Sequence, residues 1–173
     1  QKYQQIKPGS TEADTIRSLA LEDPQHPPLY FLMARWWMQQ FGSSLTASRS
    51  LPALLSLLSL PLMYALAQEL FASNLTALLA TALLALSPFD ILFAQTARQY
   101  SLLTVLVIGS SWLLLRSLRL GGWQNWVSYS LVSALGLYTH PFFSLTIVGH
   151  GVFVIAYWLF VKKRAVEGHV TNS

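Results

Sequence analysis

The chain has 173 residues, 53% of them hydrophobic and only 10% charged, with a formal net charge of +4. A soluble domain carries about a quarter charged residues, so this composition excludes an ordinary globular protein and points to a membrane. The basic residues are few and sit at the ends of apolar runs, which suits a topology signal and argues against a nucleic-acid-binding face. Cysteine is absent, so disulfides and thiolate chemistry are excluded.

The first residue is Gln1, with no signal-peptide n-region or cleavage site, so the chain reads as a fragment. Residues 1–22 are polar, and Ser10-Thr-Glu-Ala-Asp14 carries the capping and first-turn acids of a helix start. Asp23-Pro-Gln-His-Pro-Pro28 breaks that helix, and its prolines can pre-set the first turn of the next one. Residues 29–41 have a helical pattern but are too short to span. Arg35, Gln39 and Gln40 among Trp36, Trp37 and Phe41 predict a helix lying in the membrane interface.

About five spanning candidates follow, at roughly residues 51–71, 75–95, 100–118, 126–138 and 142–161. Pro61 is expected to kink the first, and the frequent Ser and Ala residues allow close helix packing. The predicted fold is therefore an all-α polytopic membrane helix bundle. Residues 1–48 form an external segment with interfacial helices, 49–161 the bundle, and 162–173 a cytoplasmic tail.

Lys162-Lys-Arg164 marks the cytoplasmic side, and Arg116 with Arg119 marks it again two spans earlier. That parity places residues 69–74 inside. It places residues 1–48, the polar knot from Asp90 to Ser101, and Tyr138-Thr-His-Pro141 outside.

The knot lies between two strongly apolar runs, and its polar groups cost several kcal/mol in hydrocarbon unless solvated, paired or in use. Arg98 can hold a lipid phosphate bidentately, or snorkel to headgroups, or pair with Asp90 eight residues before it. Asp23, Gln25 and His26, fixed by three prolines, read as a site loop facing a phosphate or metal, or as a surface turn. His140 before Pro141 is a site residue or a helix-boundary residue, and His150 is a mid-span group suited to an interhelical hydrogen bond. No nucleotide-binding loop, serine-hydrolase elbow or zinc-protease motif occurs.

Four stretches carry a resemblance. They are Asp23-Pro-Gln-His-Pro-Pro-Leu-Tyr30, Gln40-Phe-Gly42 with Ser48-Arg49, Phe93-Ala-Gln-Thr-Ala-Arg-Gln-Tyr-Ser101, and Leu137-Tyr-Thr-His140. In that order they resemble the N-terminal half of bacterial family-39-like glycosyltransferases of the C-type membrane fold. These are the relatives of protein O-mannosyltransferases and aminoarabinose transferases.

The resemblance implies a multi-pass enzyme of the bacterial inner membrane. It would take a sugar from a polyprenyl-phosphate donor and pass it to a glycan, lipid or protein acceptor at the outer face. It implies donor-phosphate contacts for Arg98 and His26, with Gln95 and Tyr100 shaping the pocket and Asp23, Asp90 and His140 as additional candidates. The family's catalytic carboxylate belongs to an Asp-Glu pair expected upstream of Gln1, so the fragment itself is expected to be inactive. Where the family shows Gln-Glu-Ala-Arg this chain has Thr96 in place of the Glu. No cofactor is required, and a divalent metal is compatible. The rival readings are a transporter or channel with Asp90, Arg98 and His150 along its path, and a non-catalytic membrane assembly subunit.

Overall fold

The computed structural model describes residues 29–42, 44–95 and 99–170. Among the described residues it is all helix: α1 Leu29–Phe41, α2 Leu45–Phe71, α3 Asn74–Ala85, α4 Pro88–Gln95, α5 Tyr100–Leu120, α6 Trp123–Leu137 and α7 Phe143–Val170. The helix start and the turn expected within residues 1–28 lie outside the described residues.

Local chemistry sets the helix boundaries. α1 follows Pro28 and stops at Gly42, whose φ of 86° suits a residue without a side chain. Ser44 caps α2, its hydroxyl accepting from the Ala47 N–H at 3.1 Å. That helix runs through Pro52 and Pro61 and ends at Ala72, whose N–H closes on the Gln68 carbonyl at 2.9 Å. Ser73 caps α3 in the same way, accepting from the Thr76 N–H at 3.3 Å. Gly121 and Gly122, with φ of 65° and 80°, make the tight reversal from α5 to α6.

Two sequence expectations change. Residues 75–95 are not one span but two helices, α3 and α4, separated at Leu86 and Ser87. Pro88 is the physical cause, because it disfavours helical backbone at Ser87 and opens α4 at a position where its missing N–H is harmless. The fourth candidate, expected over 126–138, is the 15-residue α6 from Trp123 to Leu137. Among the described residues three helices are long and apolar enough to cross a membrane, namely Thr46–Phe71, Tyr100–Leu120 and Phe143–Phe160. Helix α7 also continues to Val170, so the basic cluster at 162–164 lies on a helix and not beyond its end.

α5 is the central element of the first unit, residues 1–143. It packs between α2 and α6 and touches α4, while α2 also carries α1, α3 and α4. Its buried face combines Leu102, Val105, Leu106, Ile108 and Leu114 with Ser101, Ser110 and Ser117. Small residues let the helices approach closely, and their hydroxyls turn back on their own helices. Ser59 Oγ donates to the Ser56 carbonyl at 2.6 Å, and Ser117 Oγ to the Leu113 carbonyl at 2.7 Å. The second unit, residues 144–173, contains the remainder of α7, with His150 between Gly149 and Gly151 in mid-helix.

Cross-contacts fix the helix directions in the first unit. Ser56 of α2 donates to Ser101 of α5 at 3.4 Å, and near the other ends of the same helices Glu69 pairs with Arg119. Helices α2 and α5 are therefore parallel, and α3 and α6 return in the opposite sense. One end of the bundle gathers the starts of α2 and α5 with the end of α6. The other gathers the ends of α2 and α5 with the starts of α3 and α6.

Candidate functional site

At the first of these ends the knot meets the α6–α7 turn. Tyr100, the first residue of α5, stacks on Phe93 of α4 with ring centroids 4.8 Å apart and planes at 27°. The His140 ring lies 5.9 Å from the Tyr100 ring. His140 in turn packs on Phe142 at 5.0 Å. Two motifs forty residues apart in sequence thus form one aromatic row, with Phe93, Tyr100 and His140 all half-buried.

The turn that presents His140 is held firmly. The Thr139 and His140 N–H groups both close on the Gly136 carbonyl, at 3.0 and 3.1 Å, and the Phe143 N–H closes on the His140 carbonyl at 3.0 Å. The Thr139 hydroxyl is fully buried and donates to the Leu135 carbonyl at 2.8 Å. Gly136 and the buried Phe143 ring lie so close that a β-carbon at 136 would collide with the ring. Finally, the Phe142 N–H donates to His140 Nδ1 at 3.1 Å. In the neutral ring the proton then sits on Nε2, which leaves that nitrogen as a donor.

Asp90 lies one turn before Phe93, in the first turn of α4 and on the same face. The residue is only 8% exposed, and Oδ1 has no hydrogen-bond partner among the described residues. Gln95 ends α4 and is exposed, whereas Gln99, next to Tyr100, is 3% exposed. The alternative that pairs Asp90 with Arg98 is left open, because Arg98 lies outside the described residues. His26 and Asp23 lie outside them too.

α1 approaches the same end. Trp37 Nε1 donates to Ser50 Oγ near the start of α2 at 3.0 Å. The buried side of α1 holds Tyr30, Arg35 and Met38, while Trp36 and Phe41 are exposed. Arg35, read from the sequence as an interfacial cation, is buried at 8% exposure. Tyr30 is 1% exposed, its hydroxyl has no hydrogen-bond partner, and burial pushes its pKa up from 10.0 to about 12.

The structure therefore brings Tyr100 and His140 together and places Asp90 one helical turn from the Phe93 stack, while Gln95 remains at the rim. Sequence reasoning nominated neither Phe93 nor Tyr30. An available signal for Phe93 was its position between Asp90 and Tyr100 in a run that is polar where apolar residues are expected. Tyr30, in an apolar stretch, carried no such signal. Among the described residues no three His, Asp or Glu side chains come together in a way that would hold a metal ion.

A family model described as dolichyl-phosphate-mannose-protein mannosyltransferase matches residues 25–169, which is well over half of the chain. The match takes in His26, the knot, His140 and α7. No curated protein and no solved structure matches.

Proposed function

Because the chain belongs to the dolichyl-phosphate-mannose-protein mannosyltransferase family, a family of membrane glycosyltransferases, we propose that it takes a sugar from a polyprenyl-phosphate donor and passes it to an acceptor at the outer face of a bacterial inner membrane. The observation that carries this reading is the meeting of Tyr100 and His140, 5.9 Å apart, at one end of the bundle.

In this reading Arg98 and His26 hold the donor phosphate. A guanidinium suits that task because its planar fork matches two phosphate oxygens at once. Tyr100 and Phe93 form a wall of the pocket, and Gln95 stands at its entrance.

The reaction is a displacement at the anomeric carbon. The acceptor oxygen forms a bond to that carbon while the bond to the phosphate oxygen breaks, and the electron pair leaves with the lipid phosphate. A general base takes the acceptor proton, and none of the described residues is assigned that role. Cations at the phosphate stabilise the negative charge that grows on it in the transition state.

The test is transfer of labelled sugar from a polyprenyl-phosphate donor by the full-length protein in lipid nanodiscs. Arg98→Ala should abolish most transfer while membrane insertion is unchanged. Unchanged turnover in that variant would remove the assignment.

A further inference from the structure

Asp90 is a buried carboxylate at this end of the bundle to which the transfer reaction, as just outlined, assigns no role. We propose that Asp90 reads the sugar of the donor, accepting hydrogen bonds from its hydroxyl groups while Phe93, Tyr100 and His140 wall the ring. The inference rests on the lipid-phosphate-sugar reading above and names the residue that selects the sugar.

Placement comes first. Asp90 and Phe93 share one face of α4, a turn apart, and Phe93 is stacked at 4.8 Å on Tyr100. Asp90 therefore lies on the face of α4 that also carries Phe93, the first ring of the Phe93–Tyr100–His140 series. Helix α4 exists as a separate element only because Pro88 breaks it from α3, and this break puts Asp90 in the first turn of a new helix.

Energetics come second. At 8% exposure, with Oδ1 making no hydrogen bond, Asp90 bears a desolvation cost that nothing in the described fold offsets. The serines buried between α2 and α5 differ, because Ser59 and Ser117 are satisfied by their own helices. A carboxylate left unsatisfied beside a row of site residues is a group awaiting a ligand.

Chemistry then selects the ligand. An ionised carboxylate is acceptor-only, so its partner must be a hydrogen-bond donor. A polyprenyl phosphate offers phosphate oxygens, which are acceptors, and an apolar tail. Only the sugar presents donors, as hydroxyls. Neighbouring aromatic rings are rigid and lose little entropy on contact, which suits them to frame a ring of fixed shape.

The experiment compares binding of a polyprenyl-phosphate-sugar and of sugar-free polyprenyl phosphate to the full-length protein in nanodiscs. Asp90→Asn should weaken the sugar-bearing lipid about 10- to 100-fold and leave the sugar-free lipid unchanged. Arg98→Ala should weaken both. Equal effects of Asp90→Asn on the two lipids, no effect on either, or an effect on acceptor KM alone would overturn the role of Asp90.

Single-deoxy donors give a measurement on the unaltered protein. At least one should bind about tenfold more weakly, and uniform binding across the series would also overturn it. Failure of the unaltered protein to bind sugar-free polyprenyl phosphate is a separate result. It would overturn the donor reading itself and the role of Asp90 with it.

Discussion

The two ends of the helix bundle treat their polar residues in opposite ways. At the end where α2 and α5 finish, every polar group named here has a partner. Arg119 grips Glu69 with both arms, its Nη2 donating to Oε2 at 3.0 Å. Gln68 donates to Tyr64 at 3.1 Å, and both donate to Asn74 Oδ1. Arg116 lies over the Trp112 ring at 5.5 Å. These contacts tie α2, α3 and α5 together and ask for nothing further.

At the other end Asp90 Oδ1 and the Tyr30 hydroxyl are buried with no hydrogen-bond partner among the described residues, and Phe93, one turn from Asp90, begins a series of half-buried aromatic rings. Matched polar groups hold a fold together. Unmatched ones raise its free energy and mark where a ligand belongs. Polarity alone would not have separated the two ends, since both interrupt apolar helices with charged and amide side chains.

The contrast breaks most sharply at Arg98. If the unmatched end is the site, Arg98→Ala should lower transfer by about 10²- to 10³-fold, the usual effect of removing one group that stabilises transition-state charge. The readout is sugar transfer in nanodiscs, with insertion checked by protease protection. A loss under about threefold would leave the two ends functionally alike.

Tyr30 tests the same contrast through stability. Its folded pKa of about 12 exceeds the ordinary 10.0, so folding favours the protonated phenol. That stabilisation is complete below pH 10 and fades as pH rises from 10 towards 12, a loss of roughly 2–3 kcal/mol. Thermal unfolding in detergent over that range should show the fall, and Tyr30→Phe should lessen it. At neutral pH Tyr30→Phe should be neutral or mildly stabilising, because it removes a hydroxyl that has no partner. A marked loss at neutral pH would show that the hydroxyl is matched after all.

Gly136→Ala sharpens the picture of how the site is held. The new methyl group would press on the Phe143 ring and displace the turn that carries His140. The expected cost is about 1–3 kcal/mol of stability, as for other overpacked sites, with transfer reduced in parallel. Unaltered melting temperature and activity would mean that the turn adapts freely.

The smallest effect belongs to the matched end. The Arg119 side chain is 58% exposed, and exposed ion pairs contribute little. Arg119→Ala should move the melting temperature by no more than about 2 °C and leave transfer unchanged. A strong loss of transfer in that variant would place function at both ends and undo the comparison.

Much of this was legible from residue order alone. Low charge and long apolar runs required membrane helices, since an unpaired charge in hydrocarbon is too costly to tolerate often. The spacing of spans put the knot and Tyr138-Thr-His-Pro141 at one end, and the Tyr100–His140 contact agrees with that placement. The pairing of Glu69 with Arg119 agrees in the same way for the other end. Residues 75–95 have the length of one span by residue order, but Ser87 and Pro88 divide them into two helices.

What residue order determined, then, is the class of protein and the list of polar residues in apolar surroundings. Their polarity is a property of the sequence, and the cost it carries appears once they are removed from water. What only the tertiary structure decided is which of those residues are matched. Glu69 and Arg119 are fifty positions apart and find each other, whereas Asp90 Oδ1 finds no hydrogen-bond partner among the described residues. Satisfaction of a hydrogen bond depends on distances of about 3 Å between helices, and no periodicity along one helix encodes that.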